Sequence, residues 1–554
     1  MQLLVDVFGF LSVLLRGAEI ATQSLVVGGV AYLLCLVGPL RGTLPATTPG
    51  LWPLCARWVG RAALALTLVV AVWLSIDGMV LAATTDLSPL DIAGASFFVA
   101  GLATIGAALT AWAVVRRSRG SAAELAALVV LAGILLLSCS MTSHAAGRLE
   151  GRMPLIGADV IHQAAACVWI GGIPYFLLSL RLFKADDRAA ASVITRFSAI
   201  AMVAVAALVM AGVGMGLAYI DSLAAIYGTA YGVMVSTKVA LFGLLLLLGF
   251  MNNRIGARLQ GGDASAPVLR LRRFAEAEIG IGLTVFFAAA SLTSVPPAAD
   301  LVNERVTPAE IVERMAPRIP TLTSPDHEAL AIPKLQAGLD ARAARENAPK
   351  ARAFVPGAGV VVTVNAADIL WSQYNHHWAG ILVLAIGLLS LAEKSGRAPW
   401  ARHWPLLFIG LAIFLTLRSD PEAWPIGDIG FLESLRDPEI LQHRIFVPFV
   451  AAFGLFEWMV RTGRLKSQRA ALVFPLVTAV GGALLLTHSH SLANVRQELL
   501  IEMTHVPLAL CGIVAGWARW LEIRLPAGTL SWPAWTWRIC FVLIGLLLLD
   551  YREA

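Results

Sequence analysis

Histidine offers this chain more chemistry than any other residue type, and the ten histidines are unevenly spread. "LLLTHSHS" (484–491) ends an apolar run on His488 and His490. His144 and His162 flank one loop, His376 and His377 open one apolar run, His443 opens another, and His505 sits early in a third. Imidazole is the commonest nitrogen ligand for late first-row metals, and thioether sulfur selects Cu(I). Met141 stands at i, i+3 to His144 on one expected helix face, and Met153 follows in the next loop. Glu498, Glu502 and His505 share an i, i+4, i+7 stripe, so Glu502 is either a ligand or the group that orients an imidazole. A single histidine also suits a membrane interface, with its apolar body inside and its polar tip in water. The set as a whole, His144, His162, Met141, His376, His377, His443, His488, His490, His505 and Glu502, reads as metal-binding. His327 and His403 read as structural.

The elements that must position these residues are membrane helices. The 554-residue chain is 58% hydrophobic and only 14% charged, with a mean hydropathy of +0.76. Apolar runs of about 20 residues, enough to cross a ~30 Å hydrocarbon core, recur throughout. The fold class expected is all-α and polytopic, with about fourteen transmembrane helices in an 8 + 6 arrangement. The first group falls near 10–38, 61–83, 92–115, 122–143, 159–181, 196–219, 226–250 and 274–294. A polar stretch from Pro296 to Leu370 follows, and then runs near 374–393, 403–417, 441–460, 471–488, 499–520 and 537–550. The first run has no short core followed by a cleavage site, so it reads as a retained span.

Lysine and arginine concentrate in alternate loops, among them "RRSRG" (116–120), Arg254/Arg258/Arg270/Arg272/Arg273, Lys394/Arg397/Arg402 and Arg461/Arg464/Lys466/Arg469. By the positive-inside rule these loops are cytoplasmic, which sends both termini, the polar stretch and every histidine but His403 to the periplasmic side. The net charge of +6 therefore belongs to loops and implies no nucleic-acid partner. Within the polar stretch, "TPAEIVERM" (307–315) carries a capping box, Thr307 with Glu310, and a first-turn proline, Pro308. "VVTVN" (361–365) has strand character. The stretch as a whole reads as a linker with local structure.

Other features bound the chemistry. Six scattered cysteines form neither a disulfide framework nor a thiolate zinc site. Lys238 falls inside an apolar span and needs an interior partner, for which Glu278 is available. Arg16 and Glu19 are spaced for a local i, i+3 pair. There is no phosphate-binding G-x-x-x-x-G-K-[ST] loop, no C-P-C and no D-K-T-G-T, so no ATP-driven pump is indicated, and no catalytic residue stands out.

One region carries a likeness. "GADVIHQAAACVWIGGIPYF" (157–176) places His162 ahead of Trp169, Gly171 and Gly172. "RFSAIAMVAVAALVMAG" (196–212), "YGVMVSTKVALFGLLLLLGFMNN" (231–253), "RRFAEAEIGIG" (272–282) and "LTSVPPA" (292–298) follow in order. This region resembles the copper resistance protein D (CopD) family. The division expected is leading helices over 1–140, the family-like membrane domain over 141–298, a periplasmic linker over 299–370 and a further six-helix region over 371–554. The resemblance implies a multi-pass protein of the bacterial inner membrane, not an enzyme, that moves copper ions from periplasm to cytoplasm beside a periplasmic copper-binding chaperone. It makes His144 and His162 candidate copper ligands. The methionines favour Cu(I) over Cu(II). The alternative is an electron carrier holding haem b between histidine pairs, and a third reading is a scaffold for the chaperone.

Overall fold

The computed structural model describes residues 4–5, 7–40, 50–183, 186–259, 265–302, 305–325, 331–346, 365–435, 438–487 and 495–552. Among the described residues there is no strand, only one isolated β-bridge, between Ala423 and Ile429. Among them, thirteen helices are long and apolar enough to cross a membrane, and a shorter apolar helix, Ala470–Leu485, occupies the remaining expected position. The all-α polytopic architecture read from the hydropathy pattern is therefore the observed one.

Two compact units divide the chain: 1–221 with 238–299, and 222–237 with 300–554. The first unit contains α1 (Phe8–Leu40), α2 (Leu51–Thr84), α3 (Ser96–Arg117), α4 (Ala122–Ser140), α5 (Arg152–Leu182), α6 (Asp187–Tyr219), most of α7 (Ala230–Leu259) and α8 (Ser265–Leu292). α1 is central and packs on α2, α4, α5 and α8. α6 lies at the edge, where Met210 is 76% and Leu217 78% exposed. Such a bare apolar face is unstable in water and natural in hydrocarbon.

α1 and α5 approach backbone to backbone. α5 widens into a π-turn over Cys167–Gly171, which brings Gly171 against α1: a Cβ built on Gly171 would lie 2.0 Å from the carbonyl oxygen of Ser24. Trp169 in the same turn is buried and meets Phe242 edge to face, with ring centroids 6.0 Å apart. Lipid gives little hydrophobic drive to helix association, so small residues that let backbones touch supply the packing. Gly171 is thus a packing residue.

In the second unit the polar stretch forms two helices, α9 (Pro308–Met315) and α10 (Ala331–Glu346). α9 has the expected capping box: Thr307 Oγ1 accepts the Glu310 N–H, and the Glu310 carboxylate accepts the Thr307 N–H at 2.8 Å. Of "VVTVN", residues 361–364 lie outside the described residues; Asn365 is the N-cap of the next helix. The spans are α11 (Ala366–Lys394), α12 (Pro399–Arg418), α13 (Pro438–Arg461), α14 (Ala470–Leu485), α15 (Val495–Arg524) and α16 (Trp532–Leu549). α11 packs on α16 and α12, and α15 on α14 and α16. Their shared core is aromatic, with Trp404, Phe408, Phe474, Trp537 and Phe541 in mutual contact. Gly512 and Gly516 form a G-x-x-x-G face on α15 that receives α14; a Cβ on Gly516 would meet Ala479 at 2.6 Å.

At one end of this unit the basic residues turn inward. Arg461 bonds Glu457 and Glu393 at 2.8 Å each, while Glu522 accepts from Arg519, Trp537 and Arg538. Arg461 also lies 4.5 Å above the Trp404 ring. All six cysteines are free thiols.

Replacing Gly171 with valine forces α1 and α5 apart and lowers stability by about 1–3 kcal/mol, the usual cost of overpacking. Gly243→Ala, where an added Cβ meets nothing within 4 Å, leaves stability unchanged. Thermal unfolding of the detergent-solubilised protein distinguishes the two.

Candidate functional site

The first unit brings its polar residues together where α1, α4, α5 and α6 meet. α4 stops at Ser140, with Met141 as its C-cap, and a separate short helix spans His144–Gly147. Thr142 Oγ1 and Ser143 Oγ donate to the carbonyls of Cys139 and Ser140 at 2.8 and 2.9 Å. Hydroxyls bonding back to the backbone compete with the helical ladder, and here they end it. Met141 and His144 are therefore not on one helix face, contrary to their i, i+3 spacing.

His144 Nε2–H donates to Leu292 O of α8 at 3.2 Å, and its ring meets Tyr219 edge-on with centroids 6.4 Å apart. His162 lies inside α5, where its Nδ1–H donates to Leu208 O of α6 at 3.2 Å. Three residues earlier on α5, Asp159 accepts from Ser143 Oγ and Gln163 Nε2, each at 2.9 Å. Gln163 Nε2 also reaches Ser140 Oγ at 3.0 Å. Arg16 and Glu19 form the expected local pair at 2.7 Å, but Arg16 also crosses to Thr142 Oγ1 at 2.8 Å, so the pair ties α1 to α4. Lys238 has more than one polar neighbour in the bundle. It lies within electrostatic range of Asp159 and of His162, while the buried Glu278 takes a hydrogen bond from Asn252.

In the second unit the histidines sit deeper than expected. α11 begins at Ala366, where Asn365 Oδ1 caps the Ala367 N–H and Gln336 Oε1 accepts the Ala366 N–H. His376 and His377 are thus well inside α11 and do not open it, and His443 lies in the second turn of α13. Three of these histidines converge on Tyr551, a buried residue beyond α16. His376 stacks on its ring at 3.7 Å and 16°, His505 meets it edge-on at 5.9 Å, and His377 Nε2–H donates to its carbonyl at 3.0 Å. His377 Nδ1 accepts the Thr321 N–H at 2.8 Å. Both nitrogens of His377 are thereby committed to the backbone. This histidine fastens the 321 segment and the 551 segment to α11.

His376 and His443 line one cavity of about 500 Å³, together with Asp368, Trp371, Asp420 and Glu422. His443 Nδ1–H donates to Asp420 Oδ1 at 2.6 Å, and His376 Nδ1–H to Ser372 O at 2.8 Å. Glu502 and His505 share α15. His488 and His490 lie outside the described residues, as does His327. Among the described residues no group of three or more His, Cys, Asp or Glu side chains stands at metal-binding spacing.

Sequence reasoning missed Asp159, Gln163, Asp420 and Tyr551. Asp159 and Gln163 carry a readable signal, being polar residues one turn apart inside an apolar span. Asp420 and Tyr551 lie beyond helix ends, where hydropathy gives no reason to select them.

The model of the copper resistance protein D family matches residues 191–292, which cover most of α6 and all of α7 and α8. The chain is therefore similar to that family over this segment, within the region where the likeness was read. The copper transport protein CutJ of Bacillus subtilis is 32% identical over 164 residues, 29% of this chain and 29% of that protein. Copper resistance protein D of Pseudomonas syringae pv. tomato is 26% identical over 216 residues, 37% of this chain and 68% of that protein. The chain thus spans less than a third of the first relative's length. No solved structure matches.

Removing the charge of Asp159 takes away a negative group within electrostatic range of Lys238. Asp159→Asn therefore lowers the thermal stability of the solubilised protein, and adding Lys238→Met recovers part of the loss, because deleting both charges costs less than deleting one. Equal instability of the single and double variants would contradict the pairing.

Proposed function

We propose that the chain is a multi-pass copper-handling protein of the bacterial inner membrane that admits copper ions from periplasm to cytoplasm and serves copper resistance. The observation that carries this reading is where the family match falls. Most of α6 and all of α7 lie within it, and they supply Leu208 O, which accepts from His162, and Lys238, within electrostatic range of that ring. Helices of the matched segment thus border the polar interior of the first unit, which supports the reading. The names of the two relatives, one a copper transport protein and one a copper resistance protein, support the choice of ion.

The chemistry fits a passage better than a reaction centre. Polar and charged groups inside hydrocarbon are kept where they pair or line a path, and in this reading His144, Asp159, His162, Gln163 and Lys238 border the path. His144, His162 and Met141 are the proposed contacts for the ion in this unit, with the thioether favouring Cu(I). The arginine- and lysine-rich loops define the cytoplasmic side. Inward movement of a cation needs no nucleotide, since a membrane potential contributes about 2.3 kcal/mol per charge per 100 mV. The segment containing α9 and α10 then lies in the periplasm, where a copper chaperone is the fitting partner.

The double variant His144→Ala/His162→Ala lowers copper accumulation by cells several-fold at unchanged protein level, measured by elemental analysis; accumulation equal to that of the parent would refute the reading. The haem alternative predicts a b-type band in a reduced-minus-oxidised spectrum of the purified protein. The transport reading predicts a featureless one.

A further inference from the structure

The arginine- and lysine-rich end of the second unit carries more positive charge than its own carboxylates use. We propose that this end is a binding collar for phospholipids with anionic headgroups, built from Lys394, Arg397 and Arg402 on one side and Arg464, Lys466 and Arg469 on the other.

The charge divides into two layers. Segments 388–406, 455–472 and 515–535 contain three carboxylates, Glu393, Glu457 and Glu522. All three are engaged inside the bundle. Glu393 accepts from Arg461 at 2.8 Å and from Trp404 Nε1 at 3.1 Å, and Glu457 accepts from Arg461 at 2.8 Å. Glu522 accepts from Arg519 and Trp537 at 2.6 Å each and from Arg538 at 3.3 Å. Three arginines against three glutamates leave this inner layer neutral. The six outer residues are all exposed, with no further carboxylate in these segments. Like charges gathered on one surface raise the local concentration of anions.

The two groups of three share one surface. Glu393, next to Lys394 in sequence, is bonded to Arg461 at the end of α13. His403, next to Arg402, accepts the Trp458 indole N–H at 2.8 Å, and the Arg464 guanidinium lies 4.0 Å above that same Trp458 ring. Loops 395–398 and 462–469 therefore start from a common root.

The apolar surface beside the charges selects a lipid over other anions. Trp400, in the first turn of α12, is 68% exposed, and Leu388, Leu406 and Leu455 are exposed on α11, α12 and α13. Each leucine lies within about three turns of the basic residues. These helices are long and apolar enough to cross a membrane, so the bared leucines face acyl chains while Trp400 sits at headgroup level, where indoles concentrate. Lysine and arginine near helix ends extend to that same level. A phosphodiester headgroup on two acyl chains matches both surfaces, whereas inorganic phosphate matches only the basic one. In the orientation proposed above, the collar meets the cytoplasmic leaflet, whose anionic lipids attract basic segments beside a span. It does not depend on which ion the protein carries.

The test counts lipids on the full-length protein by native mass spectrometry, after titration in detergent with phosphatidylglycerol or phosphatidylcholine. The first phosphatidylglycerol is expected to bind about ten-fold or more tightly than the first phosphatidylcholine, and millimolar inorganic phosphate at constant ionic strength does not displace it. The double variants Lys394→Gln/Arg397→Gln and Arg464→Gln/Lys466→Gln weaken phosphatidylglycerol binding about five-fold for each basic residue removed. They leave phosphatidylcholine binding as it was. Lys334→Gln, an exposed change on α10, alters neither lipid. Equal binding of the two lipids by the parent overturns the collar, as does parental binding in both double variants or displacement by inorganic phosphate. Exposed positions tolerate glutamine; should a double variant still fail to fold, the parent decides through salt. Added sodium chloride screens exposed charges, so it weakens phosphatidylglycerol binding, and binding indifferent to salt overturns the proposal.

Discussion

A polar side chain inside hydrocarbon must find a partner within the protein, because lipid offers none. That constraint organises both units. In the first, Asp159 accepts from Ser143 and Gln163 and lies within electrostatic range of Lys238, and Arg16 reaches from α1 across to α4. In the second, three arginines and three glutamates close one end of the bundle around Trp404 and Trp537. Each of these groups would be a defect alone. Paired, they fix which helix faces meet, so the helices cannot slide or rotate without stranding a charge.

The same constraint gives neighbouring histidines different surroundings. His377 spends both nitrogens on backbone groups and acts as a fastener. His376, next to it in sequence, points a quarter-turn or so away around the helix and lines the cavity instead. Adjacent residues of one type thus divide into two roles because a helix turns them towards different neighbours.

The fold was largely legible in the sequence, because a membrane helix announces itself through length and hydropathy. Each expected run, from Phe8–Leu40 to Trp532–Leu549, corresponds to a helix, and the Thr307–Glu310 box starts α9 as its residues require. Less was legible at helix ends. Asn365 starts α11 well before its apolar run begins, and Thr142 and Ser143 stop α4 short of Met141. Hydrogen bonds from side chain to backbone set those boundaries, and hydropathy is blind to them. The site was legible in residue type and not in partnership. Lys238 was recognisable as a charge in need of company, but that Asp159 lies within electrostatic range of it depends on helix rotation, which the sequence pattern leaves open.

The proposed account therefore assigns the paired interior of the first unit to ion passage. Potential-driven flux tests that assignment most directly. The purified protein would be reconstituted into liposomes with an imposed inside-negative potential, and entry of labelled Cu(I) followed over time. The account predicts uptake that grows with the potential and disappears when it is collapsed. Uptake no faster than in protein-free liposomes, at any potential, would contradict it.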